Sequence, residues 1–152
     1  MAAGKWKLYA KAKEALWKGE IDLDTHEFRI NLYLSTSNCD TLTAHDALAD
    51  LTNQVATNFG YTQDTKAVTI SVSESGGTTT VDETTNPMWS ASGGSITGRH
   101  AVIYDHTHAN KIPVCTCLLD TAPADVTATD GNTFTVTMNV SGLFTGSGAD
   151  TN

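Results

Sequence analysis

Hydrophobic and polar positions alternate with two different periods along the chain, and the change of period predicts its elements. Over residues 5–18, Lys7, Lys11, Glu14 and Lys18 recur at helical spacing, while Trp6, Leu8, Tyr9, Ala12, Ala15, Leu16 and Trp17 fill the wider opposite arc. An amphipathic helix is predicted there, stopped by Gly19 in the left-handed conformation that a glycine adopts without strain. From Phe28 to Leu34 the period falls to two, so Phe28, Ile30, Leu32 and Leu34 share one buried face of a strand. Thr43-Ala44-His45-Asp46 carries a helix-start signature, a hydroxyl cap followed by an anion in the first turn, with Leu48, Leu51 and Val55 turned inward.

From Lys66 onward, threonine- and valine-rich runs alternate over 67–73, 78–81, 97–104, 113–119 and 133–140. Clusters of Gly, Asn, Asp and Pro separate them, and Ser75-Gly76-Gly77, Ser92-Gly93-Gly94 and Asp130-Gly131-Asn132 are the predicted hairpin or loop tips. Regularly spaced short strands with turn chemistry between them indicate a mainly β fold, a sandwich or barrel, with an N-terminal amphipathic helix and one short helix. At 152 residues with 39% hydrophobic content, a single domain spanning 1–152 is expected. Residues 1–20 would form a helical arm, and the small, polar 142–152 a loose tail or an arm ordered by a neighbour.

Charge sharpens the reading. The net charge is −8, yet residues 1–18 hold five lysines against Glu14 alone, so a +4 head sits on a −12 body. A basic head on an acidic body suits docking or neighbour-to-neighbour complementarity, while the acidic total argues against nucleic acid as partner, since such binders need clustered cations. No run approaches the ~20 apolar residues of a membrane-spanning helix, and a membrane partner is not expected.

The candidate chemistry is sparse. Cys115 and Cys117 fall on one face of a strand about 7 Å apart, too far for a bridge, and with Cys39 they read as small buried hydrophobes. His100, His106 and His108 are expected to gather around the turn between two strands, with Asp105 and Asp120 as oxygen donors, the sharpest candidate for a metal or pH-sensitive site. Gly94-Ser95-Ile96-Thr97-Gly98 lacks the nucleophile-elbow spacing, and neither a phosphate loop, a His-Glu-x-x-His zinc signature nor a dinucleotide fingerprint occurs. No catalytic residue, cofactor or metal ligand is therefore assigned, and an enzyme is not expected.

Several segments resemble a family of small structural proteins of tailed-bacteriophage virions. They are Lys7-Leu8-Tyr9 with Lys11-Ala12-Lys13, Gly19–Asp24 ahead of Arg29–Leu34, Asp50–Val55 leading to Gly60-Tyr61-Thr62, Trp89-Ser90, Arg99 with Ala101–Asp105, Gly131–Val136, and Gly142-Leu143-Phe144. The resemblance implies an antiparallel, jelly-roll-like β-sandwich without cofactor, made in the host cytoplasm and carried on the virion in many copies. A capsid decoration or cement protein is the first expectation, a homotrimer bound to the major capsid protein at local threefold positions. A neck or tail ring protein is the alternative, and a host-glycan-binding module using loops around Trp89 and the His100–His108 turn is a third reading, which needs an exposed Trp89 although a tryptophan beside Met88 is more often core. The predicted assembly contacts are Lys5, Trp6, Lys7, Lys11, Lys13, Trp17, Lys18, His106, His108 and Phe144, with Trp6 and Trp17 expected on the surface.

Overall fold

The computed structural model describes residues 4–120 and 125–148; residues 149–152 of the expected C-terminal tail lie outside the described residues. The chain is mainly β, with every strand pair antiparallel. The strands are β1 (Lys7–Leu8), β2 (Phe28–Tyr33), β3 (Ala67–Val68), β4 (Ile70–Ser75), β5 (Thr78–Glu83), β6 (Met88–Ser90), β7 (Ile96–Gly98), β8 (His100–Asp105), β9 (Pro113–Leu118), β10 (Val126–Ala128), β11 (Thr133–Thr135) and β12 (Phe144–Ser147). They form a five-stranded sheet ordered β1-β9-β8-β2-β3, a three-stranded sheet β12-β5-β4, and the pairs β10-β7 and β11-β6.

The period-two strand forms over Phe28–Tyr33, but as an interior strand it buries Asn31 and Tyr33 on its second face as well, and Leu34 falls just beyond it. Register places Ile30 opposite Ile103 and Cys115 beyond it, and Leu32 opposite Ala101 with Cys117 beyond, so these side chains share one face at the centre of the core. Tyr61, Trp89 and Phe134 stack in tilted and edge-on contacts, and the Leu32 N–H donates to Tyr61 Oη at 3.0 Å, tying this aromatic pile to β2.

Helix α1 (Ala10–Lys18) is shorter than the predicted 5–18. Lys7 and Leu8 instead pair with Thr116 and Cys115 as β1, because the edge of β9 offers backbone bonds that a first helical turn would leave unmade. This places Trp6 in the core rather than on the surface, and Tyr9 is fully buried with its hydroxyl donating to Cys39 O at 2.8 Å. Residues 5–18 are thus built into the body and are not a free arm. Gly19 ends α1 at φ 73°, with its own N–H and that of Glu20 capping Leu16 and Ala15 carbonyls as expected.

The helix expected from Thr43 reduces to one 3-10 turn, Leu48–Asp50. The Asp50 carboxylate bends the chain around itself by accepting the Asp46 and Ala47 N–H groups, and Asn38 pins the far side through Asp50 O and Thr52 N. The following residues run extended, with Gln54 bridged to Tyr33 and Val55 N–H bonded to Leu32 O. Pairing with β2 wins over helix propensity.

Two predicted strands are each divided. The 67–73 run breaks at Thr69, with β3 joining β2 and β4 joining β5; the 97–104 run breaks at Arg99, with β7 joining β10 and β8 joining β2 and β9. The 133–140 run is a strand only over β11; beyond it Val136 and Met138 bond to Pro87 O and Asn86 Oδ1, and Val140 is fully exposed. Phe144–Ser147, expected within a loose tail, is instead the outer strand on β5.

Candidate functional site

The turn after β8 is where the sequence pointed, but its principal partner is His26. Pairing of Phe28 with Asp105 brings the end of β8 beside the start of β2, so the turn after Asp105 lies against His26 and Glu27. Asp105 is fully buried and serves three donors. His26 Nδ1 donates to Oδ2 at 2.6 Å, while the N–H groups of Thr107 and His108 donate to Oδ1 at 2.9 and 3.1 Å. Two further bonds close the seam: His106 N–H to Glu27 O and Glu27 N–H to Thr107 Oγ1, both 2.8 Å. A carboxylate with this many donors holds two loops 79 residues apart in sequence as one unit.

No periodic signal marked His26: it lies in the bend before β2, and the pairing of Phe28 with Asp105 brings it to that carboxylate.

The expected histidine cluster does not form. His100 begins β8 and Asp105 ends it, so a strand of roughly 17 Å separates His100 from the turn. Asp120 follows Leu118, the cross-strand partner of His100, and thus sits at that distant end as well. The two remaining histidines diverge: His106 packs edge-on against Tyr104, whereas His108 lines a separate cleft and accepts the Asn110 N–H on Nδ1. Among the described residues, no three His, Cys, Asp or Glu side chains converge as a metal cage.

That cleft joins two features singled out independently in the sequence, the lysine-rich helix and the histidine turn. About 230 Å³ in volume, it is lined by Lys11, Glu14, Lys18, Glu20, Asp46 and His108. Lys11 pairs with Glu14 and Asp46 at 3.6 Å each, Lys18 with Glu14 at 2.6 Å, and Lys7 with Asp40 at 3.7 Å. The hydrogen bond from Lys18, reinforced by both lysine charges, holds the Glu14 carboxyl below the usual range. Exposed pairs contribute little each, so burial of Tyr9, Ala12 and Ala15 fixes the helix while the charges orient it.

The assembly candidates therefore separate. Lys7, Lys11 and Lys18 are engaged by acids of the same chain, Trp6 is core, and His108 belongs to the cleft. Lys5 and Lys13 are exposed and form no ion pair with a described residue, and Trp17 is 81% exposed. Phe144 is half-buried beside Val81 in β12.

The remaining candidates are internal. Cys39, Cys115 and Cys117 are free, buried thiols, and burial raises all three, Cys39 to about 11. Trp89 is 5% exposed within its aromatic pile, which removes the surface platform a glycan site would need. The His26–Asp105 pair has the arrangement of a base and its orienting acid. Of the nearby hydroxyls, Thr25 Oγ1 donates to Asp22 and Thr107 Oγ1 accepts from the Glu27 N–H. Comparison with protein-family models, curated proteins and solved structures finds no match to the chain.

Proposed function

We propose that the chain is a structural protein of a tailed-phage particle, a capsid decoration or cement protein that adds contact area across major capsid protein subunits, arranged as a homotrimer. The resemblance in sequence supports this reading, and its segments fall on paired framework: Arg29–Leu34 on β2, Ala101–Asp105 on β8 and Gly131–Val136 on the turn and strand of β11. A jelly-roll-like sandwich is the architecture proposed with it. Transfer of the chain between sheets at Thr69 and Arg99, with an aromatic pile in the core, supports that arrangement.

The observation that carries the reading is Trp17. One turn after Lys13 on the same side of α1, it stands 81% exposed while Ala12 and Ala15 anchor the opposite side. An aromatic side chain of this kind buries roughly 200 Å² when covered, and at ~25 cal/mol/Å² its burial in an interface contributes at most about 4 kcal/mol per copy. Repetition over linked sites turns such a contact into tight attachment. A cationic neighbour fits an acidic partner surface.

Because residues 5–18 contribute β1 and the buried Tyr9, point substitution is the test rather than deletion. Trp17→Ala combined with Lys13→Glu should lower the number of copies per particle and the temperature at which particles open, with an unchanged circular dichroism spectrum. Unchanged occupancy and particle stability would overturn this contact. Cryo-EM of the particle separates the shell from a single neck or tail ring.

A further inference from the structure

We propose that the outer edge of β4, together with the apolar groove beside it, is a strand-addition site for an extended segment of another protein that carries apolar side chains at alternate positions and lysine or arginine between them. The site stands on edge geometry and extends beyond the virion reading without depending on it.

The hairpin between β4 and β5 fixes which backbone groups are free. Gly76 and Gly77 at φ 61° and 83° form a two-residue turn with both central residues left-handed, the type whose twist suits a hairpin. Ser75 and Thr78 then exchange hydrogen bonds, as do Ser73 with Thr80 and Ser71 with Asp82, and Thr84 N–H to Thr69 O at 3.1 Å continues the alternation. The N–H and C=O groups of Val72 and Glu74 therefore point away from β5. β4 is the last strand of its sheet, so among the described residues no strand receives them. The edge has no guard either: Ile70-Ser71-Val72-Ser73-Glu74-Ser75 contains neither lysine nor proline, and its register runs without a bulge.

Side-chain recognition lies alongside. Val72, Val81 and Phe144 form one row across the sheet, and its outer member Val72 is 49% exposed. It borders a groove of about 480 Å³ whose other apolar walls are Leu16, Ile21 and Leu23. An added strand would place alternate side chains against Val72 and into this groove while its backbone bonds to Val72 and Glu74.

Charge selects the occupant. Asp22 and Asp24 line the groove, Glu20 lies on the same loop and Glu74 on the strand; all four are exposed and none forms an ion pair with a described residue. A two-fold pairing of β4 with a second copy would set these rims against each other. The chain's own lysine-rich segment is folded into β1 and α1, so it offers no extended basic strand. A basic segment of a different protein satisfies backbone, groove and rim together.

The test uses the full chain and two probe peptides, a blocked Lys-Val-Lys-Val-Lys-Val hexamer and its glutamate counterpart, followed by amide NMR titration. The lysine peptide should shift the Val72 and Glu74 amides and bind at least about tenfold more tightly than the glutamate peptide, weakening as salt screens the rim. Val72→Pro removes an outward N–H without touching the β4–β5 ladder, and Val72→Lys keeps that N–H but adds a like charge. Each should lower affinity about tenfold or more, and Val72→Lys serves if the proline variant is unfolded. Absence of binding, equal binding of both peptides, or shifts away from β4 would overturn the proposal. So would concentration-dependent self-association abolished by Val72→Lys, which assigns the edge to a second copy.

Discussion

Asp105 is the residue whose removal should do the most damage per atom lost. Asp105→Ala strips the acceptor from His26 Nδ1 and from the N–H groups of Thr107 and His108, all now within 2.6–3.1 Å of a fully buried carboxylate. Hydrogen bonds to a charged group contribute roughly 1.5–3 kcal/mol each. His26 is partly exposed and would regain water, so the expected net loss is on the order of 4 kcal/mol. Asp105→Asn should be much milder. Its oxygen still accepts both backbone N–H groups, and its amide can donate to His26 Nδ1 once the ring carries its proton on Nε2, leaving a loss of about 1–2 kcal/mol. Urea unfolding followed by tryptophan fluorescence measures both, and amide exchange at Thr107 and His108 shows whether the turn itself has opened. An Asp105→Ala protein within about 1 kcal/mol of wild type, or an Asp105→Asn protein as unstable as the alanine variant, would refute the three-donor account.

Three further outcomes follow from buried titratable groups. Burial raises the Glu83 carboxyl from its ordinary 4.5 although Oε1 accepts from Thr69 and Thr85, and Oε2 has no hydrogen-bond partner among the described residues. The folded state thus holds this proton more tightly, and the associated stability is lost as pH rises from 4.5 through the folded value. Glu83→Gln should be at least as stable as wild type at pH 7, an advantage that vanishes below 4.5; marked destabilisation at pH 7 by urea titration would contradict this. His100 behaves in the opposite sense, burial lowering it from 6.5 against the opposing charge of Asp40 at 4.0 Å. The unfolded chain binds the extra proton as pH falls below 6.5, so wild type should lose stability relative to His100→Leu across that window, and a pH-independent difference would refute it. Finally, with every cysteine buried and its thiol raised, a thiol reagent at pH 8 should label none of the three in the native protein and all of them in urea. Rapid native labelling of Cys115 or Cys117 would show that β9 opens.

The parts of this fold that were legible in the sequence are those governed by neighbours along the chain. Alternation from Phe28 marks β2 and its apolar face, though not the burial of Asn31 and Tyr33 on the other face, and Gly19, Gly76 and Gly77 mark their turns because positive φ penalises a Cβ. The divisions at Thr69 and Arg99 were not legible, since alternation continues through Thr69, neither site carries a proline or glycine break at the dividing residue, and what changes is the identity of the pairing strand. Short strands such as β6, β10 and β12 give too few positions for a period to register.

The candidate site divides in the same way. Residues 106 and 108 were recognisable as a histidine-bearing turn, and the +4 charge of the first segment was plain, but their meeting in one cleft with Asp46 depended on how distant segments pack. So did the exchange of His100 for His26 as the partner of Asp105, and the burial of Trp6 while Trp17 stayed exposed. By itself the sequence determined a mainly β chain, its main hairpin tip and a basic first segment, because short-range sterics and periodicity act within a few residues. Only the tertiary structure decided which strand edges are covered, which lysines are neutralised and which carboxylate is buried, because those outcomes depend on backbone and charge partners far apart in the chain.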